Sequence, residues 1–221
     1  MIWYNYKCVH IHIPRTGGSS IIKMLGIPPG KDFIEMRRGE HRTIHHLNID
    51  SAKLESYFKF AFVRNPWEKM VSHFEWRKKR DLESPMSMKV KGNKANWLHS
   101  VDFTYWIKNL KKMDYDNLHT RNQLDWICTE RWIWDLDKQI YIYRPNRIKL
   151  KVDFVGRVET MEKDWKYIKE KLNIKSDWPL ARVRKTHHLP YWKYYDDECV
   201  EIVKNRYEDD INFFNYKFGE V

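Results

Sequence analysis

Residues Cys8 to Leu25 read C-V-H-I-H-I-P-R-T-G-G-S-S-I-I-K-M-L, and the punctuation of this stretch decides the fold. Val9, Ile11 and Ile13 alternate with His10 and His12, the period-2 pattern of a strand. Pro14, which has no N–H to offer a neighbouring strand, ends it. From Ser19 onward Ile21, Ile22, Met24 and Leu25 fall at helical spacing, and Gly26 with Pro28 supplies the stop. The expected order is strand, tight loop, helix. Gly17-Gly18 lets the backbone turn sharply and come close to a ligand, while the hydroxyls of Thr16, Ser19 and Ser20 and the first-turn N–H groups are expected to point outward together. Such a helix start attracts anions, and Arg15 adds a fixed positive charge, so a phosphate or sulfate fits there. The nucleotide triphosphatase loop is excluded by spacing: where it needs Gly-Lys-Ser/Thr, this chain has Ile22.

A second strand, turn and helix follows in Tyr57 to Trp76, Y-F-K-F-A-F-V-R-N-P-W-E-K-M-V-S-H-F-E-W. Phe58 to Val63 has the aromatic and β-branched character of a buried strand. Asn65 is a good N-cap, Pro66 suits the first helical position, and Glu68 completes a capping box. Trp67, Met70, Val71 and Phe74 then form one apolar helix face. Arg64 is expected at the C-terminal edge of the sheet, where ligands of open α/β folds collect, with Ser72 about 10 Å along the helix. Two anion-ready junctions at adjacent strand ends suit a ligand with two separated phosphates.

The remainder is read more coarsely. Asp32 to Met36 is a candidate short strand, followed by a polar turn, Arg37 to Thr43, with Thr43 as a candidate helix cap. Arg77 to Arg131 is basic and loop-rich, with helices expected at Phe103 to Leu110 and Asn122 to Ile127. Its charge run reads either as a solvated face or as a wall for an anionic acceptor. Trp132 to Trp134 and Tyr141 to Tyr143 suggest a hairpin or an extension of the sheet, and Val152 to Val155 a buried strand ending at Gly156-Arg157. One helix then carries Met161, Trp165, Ile168 and Leu172 inward, and a last one carries Val200, Val203, Tyr207, Ile211 and Phe214. No repeat or linker divides the 221 residues, so a single domain, 1–221, is expected.

Composition narrows the partners. Lys plus Arg outnumber Asp plus Glu by 41 to 30, a formal charge of +11, which favours a polyanionic ligand. No run of 18 apolar residues and no leader pattern is present, so neither a membrane span nor a signal peptide is expected. The three cysteines, Cys8, Cys128 and Cys199, match neither a metal pattern nor a disulfide framework, which points to a reducing, cytoplasmic compartment.

I-H-I-P-R-T-G-G-S-S followed by F-A-F-V-R-N-P-W-E-K-M-V-S resembles the paired motifs of the carbohydrate sulfotransferases, the group that includes heparan sulfate 2-O- and chondroitin sulfotransferases. G-E-H-R-T at Gly39, V-D-F-V-G-R-V-E at Val152 and the Tyr-rich C-terminal segment ending N-Y-K-F extend the likeness over nearly the whole chain. The resemblance implies an α/β, P-loop-NTPase-like three-layer fold with a central, mainly parallel sheet flanked by helices. It also implies 3′-phosphoadenylyl sulfate (PAPS) as donor. Arg15, Thr16, Gly17, Gly18, Ser19 and Ser20 would grip its 5′-phosphosulfate, Arg64 and Ser72 its 3′-phosphate, and Lys185 and Thr186 belong to a loop that closes over it.

Sulfuryl transfer, like phosphoryl transfer, asks a protein mainly for positioning and charge stabilisation. Arg15 stands where the resembled family usually has Lys: it keeps the charge on the departing phosphate and gives up proton donation. The expected base is His41, in the turn where that family places its catalytic histidine, with His45 and His46 as neighbouring rivals. No metal is required. The acceptor is expected to be a hydroxyl, most simply of a saccharide. The competing classes are a basic nucleic-acid-binding protein, suggested by the charge and the eleven tryptophans, and a nucleotide kinase, which the missing P-loop lysine pattern argues against.

Overall fold

The computed structural model describes residues 1–26, 44, 47, 50–83, 101–110, 118–128, 132–135, 140–143, 149–175 and 188–220. These form two compact units, one of Met1–Arg64 with Arg121–Arg184, the other of Asn65–Thr120 with Lys185–Val221. The Asp32 to Met36 strand and the Thr43 cap lie outside the described residues.

The first unit is built on a four-stranded, mostly parallel sheet in the order β1 (Ile2–Trp3), β2 (Cys8–Ile11), β3 (Phe58–Val63), β6 (Phe154–Arg157). β1 is antiparallel to β2, while β2 with β3 and β3 with β6 are parallel. The alternation read in Cys8 to Ile13 is not an inside-outside pattern: every residue of β2 is buried, His10 included, as befits a parallel strand covered on both faces. α1 (Gly18–Leu25) lays Ile21 and Leu25 into a core with Trp3, Phe60, Phe62, Trp165 and Ile168, each such side chain contributing about 1.5–3 kcal/mol by burial. The Trp3 indole N–H donates to the Gly26 carbonyl at 2.9 Å and closes the end of α1. α2 (Ser51–Ser56), not foreseen, buries nothing and is signalled only by its Asp50 cap, whose carboxylate accepts from the N–H groups of Ala52 and Lys53.

β6 is tied to the start of β3 by one side chain. Asp153 accepts from the Lys59 N–H at 2.7 Å, its own N–H donates to the Lys59 carbonyl at 2.7 Å, and its carboxylate pairs with Lys59 Nζ at 2.9 Å. The strand therefore begins two residues later than Val152, which is spent on the approach. The expected hairpin is present as β4 (Trp132–Asp135) and β5 (Ile140–Tyr143), paired Trp132 with Tyr143 through Asp135 with Ile140. The helix α5 (Leu124–Ile127), two residues shorter than the reading, precedes the hairpin, and α6 (Met161–Lys171) follows β6. In α6 Trp165 and Ile168 are fully buried, with Met161 and Leu172 at the margin of the core.

The second unit gathers around α3 (Pro66–Glu83), with α4 (Phe103–Lys108), a 3₁₀ turn Tyr191–Tyr194, α7 (Asp197–Arg206) and α8 (Glu208–Phe214). The Asn65 side chain accepts from the Trp67 N–H at 3.1 Å, as its capping position requires. Phe74 meets Phe103 and Trp106 with ring centroids 5.4 Å apart, and the Trp67 indole donates to the Val200 carbonyl at 3.1 Å. The last helix is two helices: Tyr207 leaves helical geometry (φ −112°, ψ 25°), and its hydroxyl donates to the Thr120 carbonyl at 2.9 Å. At the start of α7 the Cys199 N–H, and then Lys108, hold the Asp196 carboxyl down to about 2.

His10 is fully buried, stacked on Phe60 at 5.0 Å, and among the described residues neither ring nitrogen has a hydrogen-bond partner. Burial first, and the chain's own amino group second, hold its imidazole well below the ordinary value, so the folded chain keeps it neutral. The unfolded chain binds that proton from about pH 6.5 downward, so His10 costs stability as the pH falls below that point, by at most about 1.4 kcal/mol per unit. Chemical denaturation of the wild type should therefore lose midpoint between about pH 7 and 5, and His10→Phe should flatten that dependence. An unchanged slope in the variant would place the acid sensitivity elsewhere.

Candidate active site

The turn from β2 into α1 is held by its own backbone. The Ile13 N–H donates to the Ile11 carbonyl at 3.1 Å, and Thr16 Oγ1 donates to the Ile13 carbonyl at 2.8 Å. Thr16 is wholly buried. Its hydroxyl is turned inward, contrary to the expectation of three outward-facing hydroxyls, because the buried Ile13 carbonyl needs a donor where the strand has already ended. Ser19 is half-buried and Ser20 nearly buried.

Both glycines are demanded by the geometry. Gly17 has φ +82° and caps α1 with its carbonyl, which accepts from the N–H groups of Ser20 (2.8 Å) and Ile21 (3.4 Å); a Cβ there would also come within 2.8 Å of Met161 Cε. A Cβ on Gly18 would overlap the His12 imidazole. The positive end of the α1 dipole faces this bend. Arg15 precedes them, half-buried, with φ +68°, a left-handed conformation that side chains other than glycine avoid.

Arg64, half-buried at the tip of β3, aims its guanidinium at this same turn: Nη1 donates to the Arg15 carbonyl at 3.4 Å, a long hydrogen bond. The structure thus brings Arg64 to the glycine loop, as the sequence reading requires. Parallel pairing of β2 with β3 is the cause, since it puts both strand ends on one edge of the sheet. Ser72 is buried within α3, in the second unit. His41, its rivals His45 and His46, and Lys185 and Thr186 lie outside the described residues.

Three residues that touch the loop or Arg64 were not read from the sequence as part of a site. His12 lies over Gly18, Met161 lies against Gly17, and Gln123 holds the backbone of Arg64 through two hydrogen bonds of 2.8 Å. His12 and Met161 look like ordinary members of a strand and a helix stripe, and nothing in the run N-Q-L-D-W-I marks Gln123. In the second unit, a cavity of about 300 Å³ is lined by Phe74, Glu75, Lys78, Phe103 and Tyr194 among others. Its polar groups are engaged: the Tyr194 hydroxyl donates to Glu75 at 3.1 Å, and Lys78 Nζ sits 5.1 Å from the Phe74 ring centre.

Comparison with known proteins gives two findings. The model of the sulfotransferase family matches residues 2–217. Carbohydrate sulfotransferase 10 of Xenopus laevis is 23% identical over 192 residues, which cover 75% of this chain and 49% of that protein. The chain thus spans about half the length of that relative. No solved structure matches significantly.

The strained Arg15 separates stability from ligand binding. A left-handed side-chain residue costs about 1–2 kcal/mol, and the extra unfolded-state freedom of glycine returns about 0.5–1 of it. Arg15→Gly should raise the thermal midpoint by roughly 1–3 °C while weakening the binding of inorganic pyrophosphate, read by calorimetry. A lowered midpoint would mean that contacts of the guanidinium outweigh the strain.

Proposed function

The chain belongs to the sulfotransferase family, and on that premise we propose that it moves a sulfuryl group from PAPS to a hydroxyl of a carbohydrate acceptor. The observation that carries this reading is the hydrogen bond from Arg64 to the Arg15 carbonyl, which sets the second motif's cation against the first motif's loop. The donor substrate fits the residues present: a glycine cradle with no room for side chains, the N-terminal turn of a helix, and two guanidinium groups for a nucleotide with two separated phosphates. The name of the Xenopus relative supports a saccharide as acceptor. The P-loop-NTPase-like, three-layer description, a single working domain over 1–221 and a cytoplasmic setting belong to the same proposal. Among the described residues no helix is long and apolar enough to cross a membrane.

In this mechanism the bond between sulfur and the phosphate oxygen breaks as the acceptor oxygen bonds to sulfur, in line. Arg15 stays protonated and offsets the charge left on the phosphate. Gly17, Gly18, Ser19 and Ser20 hold the 5′ end through backbone N–H and hydroxyl groups, and Arg64 with Ser72 the 3′-phosphate. Thr16 shapes the loop, its hydroxyl donating a hydrogen bond to the Ile13 carbonyl. His41 takes the acceptor proton, a role that rests on its place in G-E-H-R-T, and Lys185 with Thr186 completes the enclosure.

Adenosine 3′,5′-bisphosphate, ATP and an oligonucleotide, compared in a thermal-shift assay, test this directly. The bisphosphate should raise the midpoint most, following RT ln(1 + [L]/Kd). A shift given by the oligonucleotide alone, and abolished by salt, would instead establish nucleic-acid binding. Arg64→Ala should weaken bisphosphate binding about 10- to 100-fold, the loss of a charge-assisted contact. His41→Ala should leave binding intact and lower sulfate transfer from labelled PAPS to an accepted saccharide by about 10²- to 10⁴-fold. Full activity of that variant would move the base to His45 or His46.

A further inference from the structure

The ladder that holds β3 runs out one residue before its functional side chain. Pairing with β2 ends at Ile11 opposite Ala61, and pairing with β6 ends at Val63 opposite Arg157, with the Val158 N–H donating to the Val63 carbonyl at 2.9 Å. Arg64 is the next residue, and its backbone is taken up by one side chain. The Arg64 N–H donates to Gln123 Oε1 at 2.8 Å, and Gln123 Nε2 donates to the Arg64 carbonyl at 2.8 Å. This pair of bonds fixes which end of the amide is oxygen, since the reverse orientation would set donor against donor. The side-chain amide does for Arg64 what a further strand residue would do: it fixes the peptide planes on both sides of its Cα, and with them the direction of the side chain.

Gln123 is itself rigidly seated. It is wholly buried, and Leu124, Trp126, Ile127 and Cys128 behind it are exposed by no more than 1%. Cys128 bridges Leu150, and the Lys151 N–H donates to the Ile127 carbonyl at 2.7 Å, so the segment is anchored on the approach to β6. We propose that Gln123 is a positioning residue of the donor site, which aims the Arg64 guanidinium at the 3′-phosphate by clamping the Arg64 backbone. The proposal rests on the reading of Arg64 given under Proposed function. It assigns to Gln123 no contact with either substrate.

The test compares adenosine 3′,5′-bisphosphate with adenosine 5′-monophosphate, which lacks the 3′-phosphate, by titration calorimetry on the full chain. Wild type should prefer the bisphosphate. Gln123→Leu should cut that preference on the order of tenfold while leaving the monophosphate nearly unaffected, and adding it to Arg64→Ala should change nothing further. Gln123→Glu, which keeps the acceptor for the Arg64 N–H and loses the donor to its carbonyl, should fall between, and it carries the test should Gln123→Leu not fold. Faster hydrogen exchange at the Arg64 amide in the variants should accompany the loss. Equal weakening of both nucleotides, or an additive double variant, would reduce Gln123 to a core residue and overturn the inference. No preference in the wild type would strike the donor assignment itself, before Gln123 is reached.

Discussion

The parallel pairing of β3 with β2 on one side and β6 on the other is the constraint on which the site depends. Strands that run the same way end on the same edge, so the residues just past Ile11 and Val63 emerge side by side. The arrangement at this edge of the first unit follows from that placement: the glycine bend after β2, Arg64 after β3, and a hydrogen bond between them. Since both faces of these strands are covered, register cannot slip without driving Phe60, Phe62 or His10 against the wrong neighbours. β3 is further pinned at its two extremities by side chains that act on backbone, Asp153 at Lys59 and Gln123 at Arg64. The sheet supplies direction, and these two polar residues stop the ends from fraying.

Much of this was legible because it is written in local signals. Pro14, Gly17-Gly18 and the Asn65-Pro66 pair are punctuation whose meaning needs no tertiary context, and the apolar face of Trp67 to Phe74 repeats for long enough to be unambiguous. What escaped was decided at long range. The inward turn of the Thr16 hydroxyl depends on a buried carbonyl three residues back, and the clamp on Arg64 joins residues 59 apart in sequence. The break at Tyr207 interrupts a helix whose apolar spacing continues across it, so periodicity alone reads through it; the hydroxyl's reach to Thr120 marks the place. α2 was missed because a helix with no buried face has no period to detect.

The second unit shows a different economy of interactions. Its core is aromatic, with Phe74, Phe103 and Trp106 meeting edge to face or tilted, and several tryptophan and tyrosine polar tips end on main-chain carbonyls. Short helices that would be marginal alone are thereby locked by directional bonds to their neighbours' backbone. Among the described residues of this unit, Trp67, Phe74, Phe103, Trp106 and Tyr207 are buried in packing and so are not displayed for base stacking.

The bond from Thr16 to Ile13 has a consequence for how ligands come and go. A bend that closes on itself, without help from any guest, has already surrendered its chain entropy during folding. An arriving anion therefore meets a finished receptacle, and a departing one leaves it standing. Any anion held there can be exchanged for another without the bend having to be rebuilt in between.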